Sequence, residues 1–270
     1  RDAPAATPKS KGMPEGLVEW IRVVPFNDAA ALERLLAAEG DRIACLIMEP
    51  VMMNIGIVVP AEGYLQAVRD LCTRYGVVLI FDEVKCGATI AEGGAQERFG
   101  VRPDLATWAK AIGGGAPIGA FGGRADIMEE INRGAAHQGT FNGNPMSVTA
   151  ALATLTRVLT TDAYEHFDAL GARLSNGMDA LIAEYDLPAH TVDLGCKGCI
   201  SYRAEPLTCY RDFLETNIHL YTASYPWMVN RGVFMTPGDE EQWTLSVQHS
   251  EDHVDRYVDA FATFAAELTR

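Results

Sequence analysis

The chain has 270 residues, 48% of them hydrophobic and 21% charged, with a formal net charge of −14. This length allows a sizeable core in one large or two smaller domains. The negative charge argues against nucleic acid or an anionic membrane surface as partner, and no apolar stretch is long enough to span a bilayer.

Arg1 to Met13, rich in Pro, Ala and Lys, reads as a loop. Asn27 is expected to cap a helix from Asp28 to Ala38, with Ala31, Leu32, Leu35 and Leu36 on its apolar face. Ile43 to Met48 reads as a buried strand, interrupted by Pro50. A helix from Ala61 to Tyr75 and a buried strand from Val77 to Phe81 follow, and this alternation predicts a parallel sheet. Leu105 to Ala109 and Ile118 to Gly122 read as further strands, and Arg124 to Ile131 as helical. After a loop from Gly139 to Asn144, Pro145 suits the first turn of a long Ala- and Thr-rich helix to about Thr160, packed between layers.

From Asp162 the pattern changes to α+β: a helix to Glu184, short strands near Thr191 to Leu194 and Cys199 to Tyr202, and a helix from Tyr210 to Tyr221. Strands near Val233 to Met235 and Trp243 to Val247 follow, then a closing helix from Glu251 to Leu268 capped by Ser250. The fold class is therefore α/β, a mainly parallel sheet flanked by helices over 1–160, with a smaller α+β domain over 161–270. Six cysteines are too sparse for a disulfide scaffold and fit a reducing, cytoplasmic setting. Cys196 and Cys199 stand without a second pair or a fitting histidine spacing and read as an incidental pair.

The chemistry concentrates in FDEVKCG (Phe81 to Gly87) and WAKAIGGGAPIGAFGG (Trp108 to Gly123). Asp82 falls at the C-terminal end of a strand, where open α/β sheets build their sites. Taken singly, an Asp-Glu pair there reads as a polar cap and Lys110 as a surface lysine. Taken together, they supply what pyridoxal phosphate needs: an amine to form a Schiff base with its aldehyde, and a carboxylate to keep its ring nitrogen protonated. The run Gly113-Gly114-Gly115 does not match the dinucleotide fingerprint, because Ile118 stands where a third glycine would be needed.

These motifs, together with IMEPV (Ile47 to Val51), GGAQERFGVRPDLATWAKAIGGG (Gly93 to Gly115), PIGAFGGR (Pro117 to Arg124) and GTFNGNP (Gly139 to Pro145), resemble the class III aminotransferases. These are fold-type-I pyridoxal phosphate enzymes, and the likeness is nearest to the branch around glutamate-1-semialdehyde aminomutase. The resemblance implies Lys110 as the Schiff-base lysine and Asp82 on the pyridine nitrogen. It implies Val84 against one ring face and Thr140 donating to the cofactor phosphate across a homodimer interface. Glu49 takes a supporting role. In the tail, Pro237, Glu241, Ser246 and His249 follow the order of the aminomutase branch. Glu241 is a candidate for substrate discrimination or a solvated acidic turn, and His249 reads as a satisfied structural histidine.

The implied activity is transfer of an amino group between a small-molecule amino donor and a carbonyl acceptor. The alternatives are an intramolecular aminomutase, and an inactive fragment with a binding role. Family members carry a longer N-terminal segment that contributes a phosphate-cradling turn. On that comparison the chain is expected to be a fragment of a longer product, weak or inactive alone.

Overall fold

The computed structural model describes residues 4–8, 10–238 and 242–269. A 3-10 turn at Glu15–Trp20 precedes helix α1 (Ala29–Glu39), strand β1 (Cys45–Met48), helix α2 (Tyr64–Tyr75) and strand β2 (Val78–Asp82). Two short helices, α3 (Gly87–Ile90) and α4 (Gly94–Phe99), lead to β3 (Leu105–Ala109), a 3-10 turn at Lys110–Gly113, and β4 (Gly119–Gly123). Helices α5 (Ala125–Met128), α6 (Pro145–Ala153) and α7 (Thr161–Glu184) carry the chain to β5 (His190–Asp193) and β6 (Lys197–Ser201). Helices α8 (Tyr210–Phe213) and α9 (Ile218–Val229), strand β7 (Trp243–Thr244) and helix α10 (Glu251–Leu268) complete it.

Strands β1 to β4 form one sheet in sequence order. The first three run parallel, and β4 returns antiparallel to β3. The result is a mostly parallel sheet flanked by helices with a small antiparallel sheet, β5-β6-β7, the architecture that the resemblance implies. Leu32, Leu36, Leu65, Val68, Leu79 and Phe81 bury one face of the large sheet under α1 and α2. A second core joins α7, α9 and α10 to the small sheet through Phe167, Leu174, Met178, Ile200, Tyr221 and Phe261. Val51, Met53, Ile57, Cys86 and Ile90 meet Leu194 and Cys199 between them. Each such buried apolar side chain contributes about 1.5–3 kcal/mol.

Several expectations are corrected. Asp28, not Asn27, caps α1: its carboxylate accepts the Ala31 N–H at 2.8 Å. Asn27 is taken up elsewhere, accepting the Ala61 N–H and donating to Val59 O and Thr208 O. Strand β1 is not buried on both sides; Ile47 is 62% exposed. The helix expected to run to about Thr160 as a packed element stops at Ala153, continues as a π turn over Thr154–Val158, and leaves Met146, Val148 and Leu152 exposed. Thr154 and Thr156 hydroxyls donate to the carbonyls of Ala150 and Leu152, a back-bonding that loosens a helix.

The stretch from Tyr210 to Tyr221 is two helices, because the Asn217 side chain starts a new one by accepting from His219 and Leu220. Val233 to Met235 forms no strand; the Val233 N–H is held by Met228 O at the end of α9. The last strand is shorter than expected, Trp243–Thr244.

Candidate active site

Three parallel strands deliver three acid or base side chains at adjacent exits. Glu49 follows β1, Asp82 ends β2, and Lys110 follows β3. The register aligns these exits: Met48 faces Phe81, Asp82 faces Thr107, and the Glu83 N–H donates to Thr107 O at 3.0 Å. Neighbouring strands lie about 4.8 Å apart, so side chains leaving adjacent exits reach a common space.

Asp82 is half-buried. Its Oδ1 accepts the Val84 N–H at 3.1 Å and the Thr107 hydroxyl at 3.4 Å, leaving Oδ2 without a hydrogen bond among the described residues. Glu49 Oε1 accepts from Asn54 Nδ2 at 3.0 Å and Oε2 from the Met53 N–H at 3.3 Å. Burial pushes the Glu49 carboxyl above the ordinary range, and the nearby charge of Asp82 adds to this.

Lys110 is exposed and lies in the left-handed region, with φ +52°. The other described non-glycine residues with positive φ are Asn27 and Asp186, types that tolerate this conformation. A lysine does not, and the cost is about 1–2 kcal/mol. Residues held against their backbone preference cluster at active sites, which makes Lys110 a candidate. Downstream, Gly114 also has positive φ (+57°), and a Cβ there would meet the Thr154 hydroxyl, so the glycine run packs directly on the end of the α6 region.

Glu83 serves structure instead. It is 1% exposed, and its carboxylate accepts the Ala95 N–H at 2.6 Å and Gln96 Nε2 at 2.8 Å, anchoring the start of α4. Val84 is half-buried beside Asp82. Thr140 is exposed in the turn before α6 and makes no hydrogen bond to the other described site residues. Glu241 lies outside the described residues. His249 is satisfied locally, with Nδ1 accepting the Ser246 N–H at 3.0 Å. Cys196 and Cys199 are buried free thiols, and no metal-ligand cluster occurs among the described residues.

Two more lysines lie near this region, Lys85 from FDEVKCG and Lys197 outside any motif singled out above. Lys85 Nζ donates to Met53 O at 2.5 Å and to Asn54 Oδ1 at 3.1 Å. Gln242 Nε2, from the tail, donates to the same Met53 carbonyl and to Gly56 O. Lys197, from β6, donates to Thr244 Oγ1 at 2.7 Å. Its signal in the sequence is a charged residue opening an otherwise small and apolar strand, Lys197–Ser201.

An amine and a carboxylate at adjoining strand exits, the latter with an oxygen still open, match what pyridoxal phosphate asks of a protein: a partner for its aldehyde and one for its ring nitrogen. The fold and site define an α/β transferase of that type. The chain belongs to the class-III aminotransferase family, whose model matches residues 17–201.

A glutamate-1-semialdehyde 2,1-aminomutase from Sorangium cellulosum is 42% identical over 255 residues, covering 94% of this chain and 58% of that protein. An omega-transaminase from Sphaerobacter thermophilus superposes with a TM-score of 0.92 at 32% identity, covering 98% of this chain and 61% of that one. A glutamate-1-semialdehyde aminomutase from Pseudomonas aeruginosa PAO1, solved in complex with PMP, gives 0.85 at 27% identity, with 97% and 60% covered. The chain thus spans about three fifths of the length of the relatives it matches.

Proposed function

We propose that the full-length protein is a pyridoxal phosphate enzyme that moves an amino group within one molecule, as a glutamate-1-semialdehyde aminomutase does. The observation that carries this reading is Lys110, held in left-handed backbone at the exit of β3, beside Asp82 at the exit of β2. Bound there, pyridoxal phosphate supplies an aldehyde for the amino group and a ring that accepts the electron pair released when a substrate C–H bond breaks.

Asp82 Oδ2 holds the proton on the ring nitrogen while Oδ1 stays fixed by Val84 and Thr107. Lys110 Nζ takes the proton from the substrate carbon bearing the amino group and returns a proton where the new C–H bond forms. Val84 packs against one ring face, and Thr140 donates its hydroxyl to the phosphate. Glu49 supports Asp82 and the 53–54 turn, and Glu241 contributes to substrate discrimination.

Thr140 serves the site of a second copy in this reading. Individually exposed apolar side chains, among them Phe121, Phe141, Met146, Leu152 and Leu155, are compatible with such a homodimer. No described helix is long and apolar enough to cross a membrane, and the acidic chain suits the cytoplasm rather than a nucleic acid or a membrane surface.

The sequence motifs alone put transfer between two molecules first. The names of the curated relatives favour the intramolecular reaction, while the likeness to an omega-transaminase keeps transamination as the second reading. Borohydride reduction of the full-length protein should leave a pyridoxyl group on Lys110; cofactor-loaded protein with no such adduct refutes the proposal. Product analysis then separates the two reactions: a rearranged amino product without added keto acid means a mutase, and strict dependence on keto acid means a transaminase.

A further inference from the structure

Gln242 stands immediately before β7 and is 7% exposed. It crosses from the small sheet to the large one: its Nε2 donates to Met53 O and, at 2.8 Å, to Gly56 O. The two N–H groups of one amide thus hold two carbonyls of a single turn. Met52 and Val58 close that turn by exchanging backbone hydrogen bonds at 3.1 and 3.0 Å. Lys85 shares the Met53 carbonyl, while among the described residues the Gly56 carbonyl is held by Gln242.

The same turn supplies the donors that hold Glu49. The Met53 N–H reaches Oε2 at 3.3 Å, and Asn54 Nδ2 reaches Oε1 at 3.0 Å. Met53 is therefore gripped from both sides, by Gln242 at its carbonyl and by Glu49 at its N–H. Glu49 in turn leaves β1 beside Asp82, since Met48 is paired with Phe81 in the parallel register. Burial opposes an ionised Glu49, the two turn donors favour it, the charge of Asp82 opposes it and Lys85 favours it. A partly buried carboxyl keeps its charge through hydrogen bonds to the charged form. A turn that moved would withdraw both donors at once, and Glu49 would take up a proton.

We propose that Gln242 is a positioning residue for the strand-end site: it fixes the 53–56 turn, and the turn holds the Glu49 carboxylate beside Asp82. The assignment rests on the function proposed above, in which Asp82 keeps a proton on the cofactor's ring nitrogen. A second carboxylate behind Asp82 favours that proton.

The test is a double-mutant cycle in the full-length protein: Gln242→Met, Glu49→Gln and the two together. Pyridoxal phosphate affinity is measured by titrating cofactor-free protein, and urea unfolding is followed in parallel. Each single variant should weaken cofactor binding by about 10-fold, within the range for members of one hydrogen-bond network. The double variant should bind no more weakly than Glu49→Gln alone. Gln242→Asn, which keeps the amide on a shorter stem, should recover part of the loss, and it carries the same cycle if Gln242→Met does not fold. A residue that only ties the tail down would lower the urea midpoint and leave cofactor affinity unchanged, or weaken it equally in both Glu49 backgrounds. Either result overturns the assignment. A wild type that binds no pyridoxal phosphate overturns it together with the proposed function. Coupling between Gln242 and Glu49, in a protein whose reduction with borohydride leaves no pyridoxyl group on Lys110, supports the positioning role and sinks only the proposed function.

Discussion

Replacing Asp104 with alanine tests whether the sheet is locked at the end opposite the site. Asp104 immediately precedes β3, while Lys110 follows that strand's other end. It is 6% exposed. Its Oδ2 accepts the Leu79 N–H and Arg69 Nη1, both at 2.8 Å, and its Oδ1 accepts Arg124 Nη1 at 2.9 Å. Truncation strands the buried Leu79 N–H, at about 1–3 kcal/mol. It also removes the partner of Arg69, which is mostly buried, whereas Arg124 is half-exposed and contributes under about 1 kcal/mol.

Together these place the loss at about 3–5 kcal/mol, the range for breaking a buried pair. Burial alone would raise the Asp104 carboxyl, but the Leu79 N–H, Arg124 and Arg69 outweigh it and hold the carboxyl below its ordinary range. A depressed carboxylate contributes stability that is present above the unfolded pKa and lost as pH falls through the folded one. The gap between wild type and Asp104→Ala should therefore be full at pH 7 and shrink below about pH 4. Urea unfolding of the full-length proteins at several pH values reads both effects. A gap under about 1 kcal/mol at pH 7, or one that grows on acidification, refutes the reasoning.

Lys110→Gly should raise the unfolding free energy of cofactor-free protein by about 1 kcal/mol, since glycine has no penalty at φ +52°, while abolishing the pyridoxyl adduct; a loss of stability refutes the strain. Asp82→Asn should keep the cofactor, seen in its absorbance, but lower kcat by about 100-fold or more, and near-normal turnover would remove Asp82 from its role. Burial holds the Glu83 carboxyl above its ordinary range, so its contribution to stability is fully present below the unfolded pKa and lost as pH rises through the folded one. Glu83→Gln, which cannot ionise, should therefore gain on wild type in urea unfolding between pH 4 and pH 7, and a constant difference across that range would contradict it.

What was legible in the sequence follows from periodicity. The apolar runs of β2 and β3 and the amphipathic faces of α2, α7 and α10 are strong local patterns, and each formed close to its expected bounds. The strand-end positions of Asp82 and Lys110 were legible from the strand patterns that precede them. The failures came where tertiary contacts outrank local preference. Asn27 is as good a cap as Asp28, but distant carbonyls at Val59 and Thr208 claim its amide. The antiparallel return of β4 was within reach of the sequence, because the link over residues 110–118 is shorter than the dozen or so residues a parallel crossover needs. Lys85 and Gln242 are distant in sequence, and only the packing of the tail against the large sheet brings both to the Met53 carbonyl.

The adjacent acids at the end of β2 show how one strand serves both stability and chemistry. Leu79 and Phe81 are each 0% exposed and Glu83 is 1% exposed, so strand alternation carries the buried face one residue past the strand. Val78, Ile80 and Asp82 form the half-buried face. A side-chain period of two therefore sends Glu83 into the core, where the start of α4 satisfies it, and sends Asp82 to the side of Thr107. A slip of one residue would exchange them, leaving the α4 amide without its carboxylate and turning Asp82 into the core. At the next exit the left-handed turn at Lys110 frees that side chain from the alternation of β3. The left-handed turn at Lys110 and the alternation at Asp82 are thus two ways of bringing an amine and a carboxyl out of neighbouring strands to the same edge of the sheet.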